Sequence, residues 1–224
     1  MAATSLALVL ATQASAGSAQ SDANLPDWSG DWVAQPYKDS PPPYSSDCIA
    51  KRKAKPGAKP VSDRINTCGI LAGTPRSLGM SGIHEWIITQ GAVRHALEND
   101  FNSVQRIFTD GRAHTDPDIV TATYTGDNTG HWEGDVLIID TVALRDDTWL
   151  DDLGHDHSDQ THIITRVIRL PDGRLRAQAQ IEDPVAFTKP WTITRYYKRP
   201  PTGSFVHDYA CGIITSRAQA RRIN

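Results

Sequence analysis

"ITRVIRLPDGRLRAQAQIED", residues 164–183, decides the fold. Two runs that alternate between apolar or small residues and polar ones flank Asp172-Gly173, a dipeptide that tolerates positive φ, and this is the signature of a β-hairpin. With Asp172 and Gly173 as a two-residue loop, Pro171 stands opposite Arg174. The pairs Leu170/Leu175, Ile168/Ala177, Arg166/Ala179, Ile164/Ile181 and His162/Asp183 follow. One face is apolar near the turn and polar at its far end. The other, with Arg169/Arg176, Val167/Gln178 and Thr165/Gln180, suits solvent. This register directs Arg166, His162 and Asp183 inward.

The same punctuation recurs along the chain, in "HEWIITQGAVRHAL" (84–97), "VQRIFTDGRAH" (104–114) and "GHWEGDVLIIDTV" (130–142). The loop Gln90-Gly91 pairs Ile88/Val93, Trp86/His95 and His84/Leu97. Adding "DWSGDWVAQ" (27–35) and "WTITRYYKR" (191–199) gives about nine or ten antiparallel strands with little helix between them. Successive hairpins favour an all-β, up-and-down barrel, because closure removes exposed edges, with a β-sandwich as the alternative.

The chain has 224 residues, 39% hydrophobic and 22% charged, enough for one full core and hence one domain. Residues 1–20 read as an export signal, with an apolar run from Leu6 to Leu10 followed by small residues, and this places the protein in the periplasm or outside the cell. Residues 21–66 hold the first strand and an irregular segment with three consecutive prolines and the basic run "KRKAKPGAKP" (51–60). Residues 67–224 supply the rest of the barrel. A net charge of −3 leaves no basic surplus for nucleic acid, and the apolar run is too short to span a membrane, so a small molecule is the expected partner. Cys48, Cys68 and Cys211 have no C-x-x-C spacing, which argues against structural zinc.

An inward histidine facing an inward aspartate is an acid–base arrangement, since the carboxylate fixes the tautomer and raises the imidazole's basicity. His162 is the expected general base or acid, Asp183 its orienter, and Arg166 the holder of a substrate carboxylate. Between the strands lies "LRDDTWLDDLGHDHSDQT" (144–161), too polar for a strand and suited to a lid. From this lid His157 offers a second proton-transfer group, Trp149 a ring to close over a ligand, and Asp151 a polar contact. Trp86, Tyr196, His84 and His95 complete the expected pocket. His155, His157 and His162, with Asp151 or Asp152, form the alternative metal set, although their spacing fits no common metal motif. No nucleotide, dinucleotide, serine-hydrolase or H-E-x-x-H signature is present, so no cofactor is expected.

Three stretches, "GHWEGDVLIIDTVAL" (130–144), "TWLDDLGHDHSD" (148–159) and "EDPVAFTKPWTIT" (182–194), resemble a family of exported bacterial proteins, mostly hypothetical. Its pattern runs W-E-G-D-T-L-V-V-D-T, then T-W-L-D-x-x-G-H-P-H-S, then D-P-x-A-Y-T-K-P-W. "TCGILAGTPR" (67–76), "RIFTDGRAH" (106–114) and "DYACG" (208–212) extend the likeness. The resemblance implies a lipocalin-like barrel with a small-molecule cavity, and a disulfide between Cys68 and Cys211. Asp156 stands where the pattern has proline, and His84 and His95 where it has apolar residues, which implies a more polar pocket. Other lipocalin-like barrels include phenolic-acid decarboxylases and related lyases that use no cofactor, an analogy at the level of fold. The expected function is therefore a cofactor-free lyase or isomerase, decarboxylation included, acting on a small aromatic or hydrophobic carboxylate. A periplasmic hydrophobic-ligand binding protein and a metal-dependent hydrolase or oxygenase are the alternatives.

Overall fold

The structure is a computed structural model that describes residues 25–49, 73–98, 103–151 and 153–204. The export segment, the Cys68–Cys211 pair and Asp152 lie outside these residues. Nine strands, β1 (Gly30–Ala34), β2 (Ile83–Thr89), β3 (Ala92–Leu97), β4 (Ser103–Phe108), β5 (Asp127–Glu133), β6 (Val136–Val142), β7 (His162–Arg169), β8 (Leu175–Glu182) and β9 (Trp191–Lys198), close into one barrel in chain order. Among the described residues no helix is long and apolar enough to cross a membrane.

A ring with an odd number of strands cannot alternate direction all the way round, so at least one neighbouring pair must run parallel. Here it is β4 and β5, whose described pairing is the single register position Phe108↔Thr129, while the other eight contacts are antiparallel. Residues 104–114 are thus not the hairpin that the sequence predicts. Asp110-Gly111 does turn, with Gly111 at φ 82° and Asp110 bonded to Arg112, but the run "TDPD" (115–118) cannot sustain a returning ladder. The chain instead travels back along the barrel through residues 109–126 before β5 begins. On the outer face of this seam is a cleft of about 330 Å³ lined by Val104, Arg106, Phe108, Thr123, Thr125 and Asp127 among others. None of the expected site residues lines it.

Two hairpins keep their two-residue loops. Ile88 pairs with Val93, Trp86 with His95 and His84 with Leu97, and Glu133 pairs with Val136 around Gly134-Asp135. The β7–β8 hairpin differs by one residue. Gly173 N–H donates to Leu170 O at 2.9 Å and Leu170 N–H to Arg174 O at 2.8 Å, so the loop holds three residues, Pro171, Asp172 and Gly173. Proline presets φ for the second position of a turn, and Gly173 at φ 84° takes the left-handed position that a three-residue loop needs. The register shifts accordingly to Arg166↔Gln178, Ile164↔Gln180 and His162↔Glu182. On β8 Leu175, Ala177, Ala179 and Ile181 keep the inward face read from the sequence, while on β7 Ile163, Thr165 and Val167 take the inward face and Arg166 and His162 move to the outer one.

Inside, Trp28, Trp32, Trp86, Leu137, Ile139, Val167, Leu175, Ile181, Ile193 and Tyr197 are all at most 1% exposed. Each such side chain contributes roughly 1.5–3 kcal/mol by leaving water. One end of the barrel carries the three short hairpins. At the other, residues 143–161 and 183–190 meet a strap from the N-terminal region, where Tyr44 bridges Phe187, Ser45 N–H donates to Ala186 O and Thr188 N–H to Pro43 O.

The chain enters β5 through Gly126 at φ 76°, where an added Cβ would sit 2.7 Å from Val142 O and 2.6 Å from Thr141 Cγ2. Gly126→Ala therefore combines a strained backbone with a clash against main chain. We expect it to lower unfolding stability by about 2–4 kcal/mol in urea titration; a change below about 0.5 kcal/mol would show that the seam yields freely.

Candidate functional site

Residues 148–151 and 153–158 close upon themselves. The turn after Leu150 brings His155 back onto Asp151: Leu150 N–H donates to His155 O at 2.8 Å, and Asp151 Oδ1 accepts the Leu153 and His155 N–H groups at 3.0 and 3.2 Å. Asp151 Oδ2 stands 2.5 Å from His155 Nδ1. Burial raises the Asp151 pKa, but the hydrogen bonds from His155 and the two amides outweigh it, and the carboxyl ends below its ordinary range. An ionised acceptor on Nδ1 fixes the proton there and leaves Nε2 as the reactive nitrogen. Two rings contact the imidazole, each with its centroid 6.0 Å away and inclined to it: Tyr44 from the strap at 51° and Trp191 from β9 at 76°.

His157, 7% exposed, is tied down at both nitrogens. Nδ1 donates to Ser158 O at 2.9 Å and Thr161 Oγ1 at 3.0 Å, and Nε2 lies 2.7 Å from Thr148 Oγ1. Burial lowers its pKa and keeps it neutral. Asp183, 3% exposed, accepts five hydrogen bonds: Ser158 N–H at 2.6 Å, Ser158 Oγ at 2.8 Å, Thr161 Oγ1 at 2.9 Å, Val185 N–H at 3.0 Å and Ala186 N–H at 2.8 Å. Burial pushes its pKa up, these donors pull it down further, and the carboxylate persists. Asp183 therefore holds the loop against the β8–β9 turn; it has no bond to His162.

His162 and Arg166 lie on the outer wall because of the shifted register. His162 Nε2 is 2.7 Å from Asp140 Oδ1, with His114 from the returning segment 3.2 Å from the same oxygen, and the His162 side chain is 41% exposed. Arg166 is exposed. The expected triad of His162, Asp183 and Arg166 is thus split between the two faces of the sheet. Tyr196 also points outward, under the Arg174 guanidinium, while Trp149 is buried at 8% exposure. His155, His157 and His162 each engage different partners, and among the described residues no three His, Cys, Asp or Glu side chains are arranged to hold a metal ion.

The barrel interior holds a second histidine group. His84 Nε2 is 2.9 Å from Met80 O and its Nδ1 is 3.0 Å from His95 Nε2. A carbonyl only accepts, so His84 carries its proton on Nε2, His95 donates from Nε2 to His84 Nδ1, and His95 Nδ1 is left as a bare acceptor. Burial lowers the His84 pKa to about 4 and that of His95 well below its ordinary value, and His84 lowers the latter further.

Two interior residues went unrecognised in the sequence. Arg195, 1% exposed, forms a two-pronged ion pair with Asp39 at 2.6 and 2.8 Å and lies over the Tyr37 ring; Tyr197, next but one on the same face, donates to Leu78 O at 2.6 Å. Alternation in "WTITRYYK" was the available signal, because Trp191 and Ile193 share their face with positions 195 and 197. Comparison with known proteins finds no family model that matches this chain and no curated protein similar to it in sequence.

Buried neutral imidazoles make stability depend on pH. Between pH 6.5 and about 4 the unfolded chain takes up a proton at His84 that the folded chain refuses, so stability rises with pH across this window and falls as the solution is acidified. We expect His84 alone to remove on the order of 2 kcal/mol between pH 7 and 5. Guanidinium titrations at the two pH values test this. A His84→Gln/His95→Gln variant should flatten the dependence, and a flat wild-type profile would show that these imidazoles are not held neutral.

Proposed function

We propose that this chain is a cofactor-free proton-transfer enzyme, a lyase or isomerase, acting outside the cytoplasm on a small aromatic or hydrophobic molecule. The observation that supports this reading is the Asp151–His155 pair at the strapped end of the barrel. A buried ionised carboxylate holds Nδ1–H, and Nε2 has no hydrogen-bond partner among the described residues. Tyr44 and Trp191, both in ring contact with the imidazole, give that nitrogen aromatic surroundings suited to an aromatic or hydrophobic substrate. His155 Nε2 removes a proton from the substrate and returns it to another atom, and the Asp151 carboxylate stabilises the imidazolium formed between the two steps. Loss of carbon dioxide fits the same chemistry when the returned proton replaces the carboxylate. Arg166 has no part in this site, so the reading carries no dedicated carboxylate holder. A binding protein without chemistry is the second reading, since the aromatic surroundings of His155 suit a hydrophobic ligand with or without proton transfer.

The test is incubation of the protein in deuterated buffer with a panel of small aromatic and hydrophobic acids and their neutral analogues, followed by NMR for deuterium incorporation, isomerisation or decarboxylation. His155→Ala and Asp151→Asn, each shown to be folded, should lower the turnover number by about 10²–10⁴. Undiminished turnover in both variants would sink the assignment, and recovery of a tightly bound compound unchanged would favour the second reading.

A further inference from the structure

The backbone groups of β4 divide between its two neighbours. Thr109 N–H donates to Gly91 O at 2.9 Å, on the β3 side, and antiparallel pairing alternates, so Ile107 and Gln105 also direct N–H and C=O toward β3. Val104, Arg106 and Phe108 therefore direct theirs toward β5. Phe108 meets β5 at Thr129, but no strand pairs with Val104 or Arg106 on that side. The same three residues line the cleft of about 330 Å³, so the open main-chain edge and the open space coincide. Its volume lies at the small end of the roughly 300–1,000 Å³ usual for ligand sites.

Direction and charge describe what fits there. β4 and β5 run parallel because nine strands cannot alternate; a tenth strand between them, antiparallel to both, lets every neighbour in the ring run antiparallel. On the outer face Arg106 stands directly opposite Arg94, an unfavourable like-charge pair. Both are exposed, and neither has a carboxylate partner among the described residues. Across the cleft Asp127 is already met: its Oδ2 accepts Thr115 N–H at 2.7 Å and lies 3.4 Å from His114 Nδ1. On the inner side Gln105 Nε2 donates to Asn128 Oδ1 at 2.7 Å and bridges the same two strands, which leaves room for only small side chains beneath an inserted strand.

We propose that the β4–β5 seam binds an extended segment of another polypeptide, laid antiparallel between the two strands, with an acidic residue opposite Arg106 flanked by glycine, alanine or serine. At about 3.3 Å per residue, the edge from Val104 to Phe108 takes about three or four residues. The acidic residue exchanges both main-chain hydrogen bonds with Arg106 and sets its carboxylate beside the guanidinium, which relieves the repulsion from Arg94. Main-chain bonds supply affinity, and the ion pair supplies preference. A second copy pairing β4 against β4 would bring further guanidinium groups into the cleft instead. No residue of the His155 site lines this cleft, and the inference does not rest on the proton-transfer reading.

The experiment uses the full chain and the peptide acetyl-Thr-Gly-Glu-Gly-Thr-amide, with analogues in which the Glu is replaced by Gln or by Lys, or its nitrogen is methylated. Heteronuclear NMR follows the backbone amides of Val104 and Arg106, and hydrogen exchange reports their protection. The parent peptide should bind saturably, shift both amides and slow their exchange. Methylation removes a ladder donor and should weaken binding about tenfold or more. Gln should weaken it about threefold, and Lys further. Arg106→Gln should abolish the preference for Glu over Gln while keeping the sensitivity to methylation. Equal binding of the parent and methylated peptides, or shifts that spare Val104 and Arg106, would overturn the proposal. So would amides already protected in the peptide-free monomer, which would show the chain covering its own edge, or protected only on dimerisation, which would give the edge to a second copy. Should Arg106→Gln fail to fold, the wild-type comparison of parent and methylated peptides decides alone.

Discussion

Nine strands cannot close into a ring without one parallel contact, and much of this molecule is arranged around that constraint. Antiparallel neighbours can be joined by two or three residues, whereas a parallel pair requires the chain to travel the length of the sheet before the next strand starts. Residues 109–126 make that journey. They lay His114 over Asp127, Thr129 and Asp140 on the outer wall, and leave β4 and β5 touching at one register position with a cleft beside it. The seam is where the ladder contributes least, and it is bordered by side-chain hydrogen bonds instead: Asn128 accepts from Gln105 and Thr141 at 2.7 Å each, linking β4, β5 and β6 inside the barrel.

Away from the seam, a carboxylate that takes part in no ladder has a comparable organising role. Asp183 gathers donors from the loop 155–161 and from the turn after β8, so one buried charge, fully supplied with donors, joins two connections to each other. His157 extends the same network to Thr148, and Asp151 secures His155. The polar residues of "TWLDDLGHDHSD" and the aspartate of "EDP" therefore owe much of their placement to mutual hydrogen bonding. His155, unlike His157, has a hydrogen-bond partner at only one of its nitrogens among the described residues. A group spent on holding the backbone has little left for chemistry, and this is the physical ground for preferring His155 over His157 and Asp183.

The interior shows the same division in a drier setting. His84 and His95 pass one hydrogen bond to the next and end in an acceptor beside unpaired indoles, while Arg195 and Asp39 neutralise one another within the barrel. In the first group His84 is met at both nitrogens by the protein's own atoms; in the second Asp39 meets the two terminal guanidinium nitrogens of Arg195 and leaves its Nε unpaired.

The strand run, the barrel class and the registers around Gln90-Gly91 and Gly134-Asp135 were legible in the sequence, because period-two alternation and two-residue turns are local properties. So was the inward direction of His84, Trp86 and His95. The β7–β8 register is harder to read, because Asp172-Gly173 resembles a two-residue loop until Pro171 is given its place in the turn. One residue of slip then moves His162 and Arg166 to the opposite face. The partnership of Asp151 with His155, the isolation of Asp183 from His162, and the parallel seam were decided by tertiary structure alone. Each depends on where a non-repeating connection lands, and that is set by closing the ring and burying Trp28, Trp86 and Trp191 together, which no spacing along the chain records.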